Sequence, residues 1–190
     1  MFVESQIDQP IKRGSIEVIC GSMFSGKTEE LLRRLKRAKF AKMKIAVFKP
    51  IVDSRYDNKK VVSHDKNIIH STPVKKAKDI LPHVNEVQIV AIDEAQFFDK
   101  DLIKVCSILA NKGKRIIIAG LDMDFLGNPF GVMPQLLAIA EQITKVHAIC
   151  IDCGVDANHS FRKTTDKDLI KLGERNEYKP LCRSCFITNN

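Results

Sequence analysis

Short apolar runs recur along the chain and predict strands. Five of them are rich in β-branched residues, namely Ser15–Cys20, Lys44–Lys49, Val87–Ile92, Arg115–Ala119 and Lys145–Ile149. Such runs, in which polar and apolar positions do not alternate, are typical of parallel strands that are buried on both faces.

Four segments between or beside these runs carry apolar residues at helical spacing. The first follows Thr28, the second is predicted to open at Pro73 with Thr72 as its N-cap, the third ends at Gly113, and the fourth opens at Pro134. The predicted apolar faces are Leu31, Leu32, Leu35 and Ala38; Val74, Ala77 and Leu81; Leu102, Ile103, Cys106, Leu109 and Ala110; and Leu136, Leu137, Ala140 and Ile143. Strands that alternate with helices predict an α/β fold with a parallel sheet flanked by helices.

The character of the chain changes after Ile149, where it becomes polar and rich in turn residues. We therefore expect two parts, an α/β domain over residues 1–149 and a small C-terminal domain over residues 150–190. A chain of 190 residues is long enough to bury a sizeable core.

Charge and composition restrict the possible classes of function but do not identify one. The net charge of +8 and the pI near 9.2 favour binding of anions such as nucleotides or nucleic acid. No apolar run approaches the ~20 residues of a membrane span. The N-terminal segment, Met1–Pro10, lacks the apolar core of a signal peptide, so we expect a cytoplasmic protein without a membrane partner.

The segment from Gly21 to Thr28 fits the pattern G-x-x-x-x-G-K-[ST] of a phosphate-binding loop (P-loop). Glycines let backbone N–H groups curl around a phosphate, and the positive end of the following helix adds to the attraction. Lys27 is expected to contact the β and γ phosphates and Thr28 to bind Mg²⁺. The residues predicted to bind ATP here are Gly21, Ser22, Met23, Phe24, Ser25, Gly26, Lys27 and Thr28.

The run that ends at Ile92 is followed by two carboxylates, Asp93 and Glu94. Parallel strands bring their carboxyl ends to one edge of the sheet, so Asp93 can face the P-loop and hold Mg²⁺. Glu94 can then accept a proton from an attacking hydroxyl or orient a water. With Gln96, which we assign to the same ATP and Mg²⁺ set, these residues predict a P-loop NTPase-like site.

Four of the six cysteines form two C-x-x-C pairs, Cys150 with Cys153 and Cys182 with Cys185. Two such pairs fit a tetrahedral Zn²⁺ site, and four cysteine ligands are typical of structural zinc. The long segment between them would then be a loop closed at its base by the metal. A redox dithiol and unpaired thiols are the alternatives. Cys20 and Cys106 lie within the strand and helix patterns, where core positions are expected.

Together these motifs resemble the type II thymidine kinases. The resemblance rests on the P-loop, Asp93-Glu-Ala-Gln-Phe-Phe98, Gly120-Leu-Asp-Met-Asp-Phe125 with Pro129-Phe-Gly131, and the two cysteine pairs. It implies ATP-dependent phosphorylation of the 5′-hydroxyl of thymidine, and of deoxyuridine, with Mg²⁺ at the phosphates and structural Zn²⁺ anchoring a lasso-shaped loop. It also implies a homotetramer and feedback inhibition by dTTP.

The resemblance assigns roles to further residues. Glu94 matches the general base, and Asp53, Ser54 and Arg55 match a segment beside the phosphates. The positions that match the nucleoside pocket and the lasso are Met23, Phe125, Leu169, Ile170, Lys171, Leu172, Gly173 and Tyr178.

Two other functions remain open at this point. A nucleic-acid-dependent P-loop ATPase with a zinc knuckle would use the basic segment from Arg33 to Lys44, although that segment also fits a solvated helix face. A non-enzymatic zinc-binding module would be expected to have lost Lys27, Thr28, Asp93 or Glu94, and all four are present. We expect an enzyme that acts on small molecules and binds no nucleic acid.

Overall fold

A six-stranded sheet lies at the centre of the computed structural model, which describes residues 14–51, 60–62, 68–164 and 177–189. The strands are β1 Ser15–Cys20, β2 Ile45–Pro50, β3 Lys60–Val62, β4 Ile68–His70, β5 Thr72–Val74, β6 Ile89–Ile92, β7 Arg115–Gly120, β8 Gln142–Lys145, β9 Ala148–Ile149, β10 Asp156–Ala157, β11 His159–Arg162 and β12 Tyr178–Leu181. The helices are α1 Lys27–Phe40, α2 Asp101–Asn111, α3 Met133–Ile139 and α4 Arg183–Asn189, with 3₁₀ helices at Ala77–His83 and Ala95–Phe97.

The strand order of the main sheet is β5-β2-β6-β7-β1-β8, and every neighbouring pair is parallel. The register places Ser15 of β1 opposite Arg115 of β7, and Ile45 of β2 opposite Ile89 of β6. The predicted parallel α/β fold is therefore confirmed.

Helices cover both faces of this sheet. Successive strand residues point to opposite faces, so Val18 packs in one apolar cluster with residues of α2 and α3, and Ile19 packs in another with residues of α1. The four central strands, β2, β6, β7 and β1, are largely buried on both sides, which explains why their sequences are mostly apolar, whereas the edge strand β8 is mostly exposed. No helix in the part of the chain that the structure describes is long and apolar enough to cross a membrane.

The predicted helix at Pro73 is wrong, because Thr72–Val74 forms the edge strand β5. A proline disfavours helical backbone at the residue before it and is tolerated on an edge strand, where one side of the backbone needs no partner. Helical structure begins only at Ala77, as a 3₁₀ helix whose buried residues are Ala77 and Ile80.

The predicted fifth strand is misplaced, and so is the end of the helix before it. The helix α3 ends at Ile139, and Ile143 lies in β8, which pairs with β1. Glu141 fixes this change, because its N–H donates to Ile16 O at 3.0 Å and its Oε2 accepts from Ile16 N at 2.6 Å. The sheet therefore continues as β8, while Ala148–Ile149 forms the separate strand β9.

The C-terminal unit, residues 148–164 and 177–189, has its own apolar cluster. The hairpins β9–β10 and β11–β12 and the helix α4 surround it. Its buried members are Ala148, Cys150, Ala157, Leu181, Cys182 and Phe186. His159 is also buried here and stacks on Phe186 with ring centroids 4.4 Å apart, so it is a packing residue.

The buried carboxylate of Glu17 connects β1 to α1 and β7 on the α1 face of the sheet. Glu17 accepts from Arg34 Nη1 at 2.7 Å and from Arg115 Nε at 2.5 Å. Burial raises the pKa of Glu17, but the hydrogen bonds and positive charges of Arg115 and Arg34 outweigh it, so that the pKa lies below its ordinary value of 4.5. A group with a lowered pKa stabilises the fold above its unfolded-state pKa, and this contribution disappears as the pH falls.

We expect E17Q to destabilise the protein by about 3 kcal/mol at neutral pH, because it removes the carboxylate that pairs with Arg115 and one of the two carboxylates that pair with Arg34. The difference from the wild type should begin to shrink as the pH falls below the ordinary glutamate pKa, and it should vanish below the lowered pKa of Glu17, where the folded protein is protonated as well. Urea unfolding at neutral and acidic pH measures both effects. The matched control is E86Q, since Glu86 forms an exposed pair with Lys44 that is expected to contribute little. Equal losses in the two variants would contradict the prediction.

Candidate active site and metal centre

Four chain segments meet at the carboxyl edge of the sheet. Gly21 follows β1, Asp93 follows β6, Leu121 follows β7 and Val146 follows β8. The strand order makes β7 the neighbour of both β6 and β1, so its C-terminal end lies between the P-loop and the acidic pair. Val146 N donates to Cys20 O at 2.8 Å, which keeps β8 against β1 up to the first P-loop residue.

The predicted P-loop connects β1 to α1, as the motif requires. Gly21 has a φ of +145° and Gly26 lies in the left-handed region at +84°, so the two glycines occupy positions of the turn that other residues adopt only with strain. Lys27 is the first residue of α1, and its Nζ donates to Ser22 O at 2.6 Å. Ser25 Oγ donates to the same carbonyl at 2.8 Å. The loop is thus closed around the Ser22 carbonyl.

The P-loop also contacts the C-terminal unit. Met23 N donates to Ser160 Oγ at 2.9 Å, and Ser22 Oγ donates to Ala157 O at 3.3 Å. Phe24, with a φ of +64°, packs against the apolar cluster of that unit. Sequence reasoning missed Ser160 and these contacts, because they join residues more than a hundred positions apart and no local pattern marks them.

The two predicted acids lie directly after β6. Asp93 is buried, and its N–H donates to Phe48 O at 2.9 Å. Its Oδ1 accepts from Glu94 N at 3.0 Å, which orients the carboxylate. Glu94 has left-handed backbone with a φ of +52°, a conformation that costs a non-glycine residue about 1 kcal/mol. Such strain is found where the surrounding structure holds a residue in place, often at functional sites.

Gln96 lies beside this pair and is buried. Its Nε2 donates to Glu94 Oε2 at 2.5 Å, and its Oε1 accepts from Leu121 N at 3.0 Å. The structure therefore brings together Glu94, Gln96 and the end of β7. That Gln96 contacts ATP or Mg²⁺ stays a prediction.

Phe125 lies in a loop between β7 and α3 that one carboxylate holds together. Asp124 Oδ1 accepts from Leu126 N and from Asn128 N, both at 2.9 Å, and Asp124 N donates to Asn128 O at 2.9 Å. An aspartate that accepts hydrogen bonds from nearby backbone N–H groups is a known turn device. The sequence Asp-Phe-Leu-Gly-Asn at residues 124–128 is a signal for such a turn.

Arg162 connects Phe125 to Tyr178. Its guanidinium carbon lies 3.7 Å from the centroid of the Phe125 ring, and its Nη2 and Nε donate to the Tyr178 hydroxyl at 2.7 and 3.1 Å. Two predicted pocket residues from distant parts of the chain are thus held by one buried arginine. Sequence reasoning missed Arg162, since a single arginine on a short strand gives no signal.

The four predicted metal ligands converge. The sulfur atoms of Cys150, Cys153, Cys182 and Cys185 all lie within 4.8 Å of one another, and those of Cys153 and Cys182 are 3.6 Å apart. Zinc–sulfur bonds of about 2.3 Å in a tetrahedron place sulfurs about 3.8 Å apart, so the cluster has the size of a zinc site. Four thiols in this arrangement fit Zn²⁺ better than a redox dithiol, which needs only two.

The pKa shifts of the thiols in the cluster go in both directions, because side-chain hydrogen bonds with Cys182 and Cys153 raise the pKa of Cys185 whereas the pKa of Cys150 is lowered. Burial raises the pKa of Cys150, but backbone hydrogen bonds from Cys182, Asp152 and Cys153 lower it to about 6, which favours the thiolate that binds metal. Burial raises the pKa of Cys20 to about 11 and that of Cys106 to about 12. These two thiols are buried in the main core, as predicted.

Two predicted groups of residues lie outside the part of the chain that the structure describes. The first is the phosphate-side segment Asp53, Ser54 and Arg55, and the second is the lasso stretch Leu169, Ile170, Lys171, Leu172 and Gly173. Their assignments stay predictions.

The site and the whole chain are similar to known thymidine kinases. The family model described as thymidine kinase matches residues 14–186. A thymidine kinase of Bacteroides thetaiotaomicron is 57% identical over 98% of this chain and 94% of its own length. One of Porphyromonas gingivalis is 58% identical over 97% of this chain and 90% of its length, and one of a Rhodothermus species is 56% identical over 91% and 81%.

Similar solved structures are more distant. Domain III of the Thermotoga maritima replication initiation protein DnaA has a TM-score of 0.43 at 17% identity, and it covers 72% of this chain and 56% of that one. A similarity this low carries no argument about function.

We expect G21A to disrupt the P-loop, because a Cβ on Gly21 would lie 2.1 Å from the carbonyl oxygen of Val146. Nucleotide affinity should fall at least about tenfold, or by about 1.4 kcal/mol. Titration with a fluorescent ATP analogue measures it. The matched control is G154A, at a glycine with a φ of +80° and nothing within 4 Å of the added Cβ. G154A adds a Cβ at a positive φ without a steric clash, so it should leave nucleotide affinity unchanged. An equal loss of affinity in G154A would contradict the explanation by a clash with Val146.

Proposed function

Because the chain belongs to the thymidine kinase family, we propose that it transfers the γ-phosphoryl group of ATP to the 5′-hydroxyl of thymidine with Glu94 as the general base. Thymidine and ATP are the substrates that the family implies. The observation that carries the role of Glu94 is its position at the sheet edge that also carries the P-loop, next to a buried aspartate.

The P-loop residues bind the phosphates in this proposal. Lys27, at the start of α1, exchanges its bond to the Ser22 carbonyl for contacts to the β and γ phosphates, where its charge is needed. The backbone N–H groups of the loop and the N-terminal end of α1 add to the attraction. Arg55 adds a positive charge from the segment that matches the family at Asp53–Arg55.

Thr28 and Asp93 would hold Mg²⁺. Both offer oxygen atoms, which this cation prefers, and Glu94 N fixes the orientation of Asp93. When bound, Mg²⁺ neutralises charge on the phosphates. Glu94 accepts the proton of the nucleoside hydroxyl as the new P–O bond forms and the bond from the γ-phosphorus to the bridging oxygen breaks, which releases ADP. Positioning and electrostatics supply most of the acceleration.

The nucleoside would bind between the P-loop and the C-terminal unit. Phe125 packs on the thymine, with Met23 and Tyr178 beside it. Support comes from Arg162, which lies over the Phe125 ring and donates to the Tyr178 hydroxyl, and from the contact of Met23 N with Ser160. The backbone of the stretch from Leu169 to Gly173 hydrogen-bonds to the base and folds over it, which excludes water as a competing acceptor.

The family resemblance adds acceptance of deoxyuridine, inhibition by dTTP and a homotetramer to the proposal. The sequence pattern adds a cytoplasmic location and a division into a nucleotide-binding domain of residues 1–149 and a zinc-anchored lasso domain of residues 150–190. The compact apolar cluster of the C-terminal unit supports that division.

The direct test is transfer of label from γ-labelled ATP with Mg²⁺ to a panel of nucleosides. We expect label on thymidine and little or none on purine nucleosides. Single-stranded DNA is the control. If no nucleoside acquires label and ATP hydrolysis increases when DNA is added, the kinase proposal is wrong. That result would favour the nucleic-acid-dependent ATPase, which the family membership does not support.

We expect E94Q to lower kcat more than about 100-fold, because the amide cannot accept the hydroxyl proton. ATP binding should persist, since Glu94 has no role in holding the phosphates. Steady-state rates and ATP titration measure the two properties separately. The control E86Q should behave as the wild type. Near-normal turnover in E94Q would remove Glu94 from the role of base.

We propose Zn²⁺ as the ion at the four cysteines, with a structural role. C182S should reduce the zinc content well below the expected value of about one ion per chain and lower the melting temperature, because the ion links two distant segments. Elemental analysis and thermal melting measure these effects. S184A, a change between Cys182 and Cys185 that removes no ligand, is the matched control. Full zinc content in C182S would contradict the assignment.

A further inference from the structure

We propose that Gln96 is a positioning residue, which holds the Glu94 carboxylate in place for proton transfer and does not itself contact the nucleotide. The inference rests on the proposed role of Glu94 as general base. It assigns to Gln96 an indirect action in place of the ATP or Mg²⁺ contact that the sequence pattern suggested.

The hydrogen bonds fix which way the Gln96 amide faces. Leu121 N is a donor, so the atom that meets it at 3.0 Å must be the amide oxygen. The amide nitrogen therefore faces Glu94 and donates to Oε2 at 2.5 Å. A backbone N–H at the end of β7 thus sets the orientation of a side chain that holds the carboxylate after β6.

The surrounding backbone leaves Gln96 little freedom. Gln96 is only 3% exposed. A Cβ on Gly120 would lie 2.9 Å from Gln96 Oε1, and a Cβ on Gly131, where φ is +54°, would lie 2.3 Å from the Gln96 carbonyl oxygen. Two glycines from the ends of one loop therefore make room for this glutamine. Phe97 and Phe130 pack edge to face beside it, with ring centroids 5.7 Å apart.

A donor fixed in this way has two effects on the carboxylate. It selects one rotamer of Glu94, which keeps the accepting oxygen at a constant position relative to the substrate hydroxyl. An N–H bond to a carboxylate also favours its charged form, which is the form that can take up a proton. Both effects act through Glu94, so they should vanish when Glu94 is absent.

A direct contact with ATP or Mg²⁺ would have different consequences. It would make the KM for ATP depend on Gln96 and would persist in a variant without Glu94. A purely structural role would lower stability and leave the pH dependence of kcat unchanged. The three possibilities therefore separate in kinetics.

The experiment compares Q96M and Q96E with the wild type. Methionine keeps the length without hydrogen bonds, and glutamate keeps the shape but places a second negative charge beside Glu94. We measure kcat and both KM values from about pH 5.5 to about pH 9, a range in which a carboxylate with a raised pKa titrates. The matched controls are Q88M and Q88E, because Gln88 Oε1 also accepts a backbone N–H, from Lys44 at 2.7 Å, but precedes β6.

We expect Q96M to lower kcat at least about tenfold with both KM values within about twofold of the wild type. In Q96E the acidic limb of the kcat profile should move to higher pH by about one unit or more, because two adjacent carboxylates disfavour each other's charge. The Gln88 variants should match the wild type. In the E94Q background, Q96M should cause no further loss of kcat, as a double-mutant cycle requires of two residues that act as one unit.

Two results would overturn the inference. One is an unchanged pH profile in Q96E together with a normal kcat in Q96M, and the other is a full additional loss in the double variant. Circular dichroism and zinc content show that each variant is folded. If the wild type does not phosphorylate thymidine, the proposed function is wrong. If the wild type does so and Q96E keeps the wild-type pH profile of kcat, the proposed function stands and only the role of Gln96 is wrong.

Discussion

The parallel pairing of β1 with β7 on one side and β8 on the other is the constraint on which the rest of the site depends. In a parallel sheet all strands end at the same edge, so residues that are far apart in sequence become neighbours there without any dedicated contact. Antiparallel pairing of β7 would have moved Leu121 to the opposite edge. The P-loop, the acidic pair and the loop that carries Phe125 therefore share one surface because of strand direction.

At that edge the sheet places several segments close together, and single side chains form the contacts that connect them. Gln96 joins the end of β6 to the end of β7, and Arg162 joins the loop after β7 to the C-terminal unit. Each uses a planar group: the Gln96 amide accepts from one partner and donates to the other, and the Arg162 guanidinium lies over the Phe125 ring and donates to the Tyr178 hydroxyl. A lysine or a serine at either position could not make both contacts.

The sequence predicted the features that follow from local patterns. The P-loop, the acidic pair, the cysteine pairs and the four central strands are contiguous motifs with a physical reason for each residue. The helix at Pro73 was wrong because the prediction weighed an N-cap pattern and ignored that an edge strand tolerates proline. The end of α3 was misplaced because Glu141 stops it through bonds to Ile16, 125 residues away. The structure places Gln96 beside the acidic pair, but its partners depend on how the ends of β6 and β7 meet.

The docking of the P-loop on the C-terminal unit has a consequence for how two ligands influence each other. Ser22, Met23 and Phe24 rest on the same small cluster that the four cysteines close. If the metal tightens this cluster and thereby orders the loop, it raises the affinity for nucleotide by some factor, and thermodynamic reciprocity requires nucleotide to raise the affinity for the metal by the same factor. A metal ion at the four cysteines would then be held more tightly when the P-loop is occupied by ATP than when it is empty.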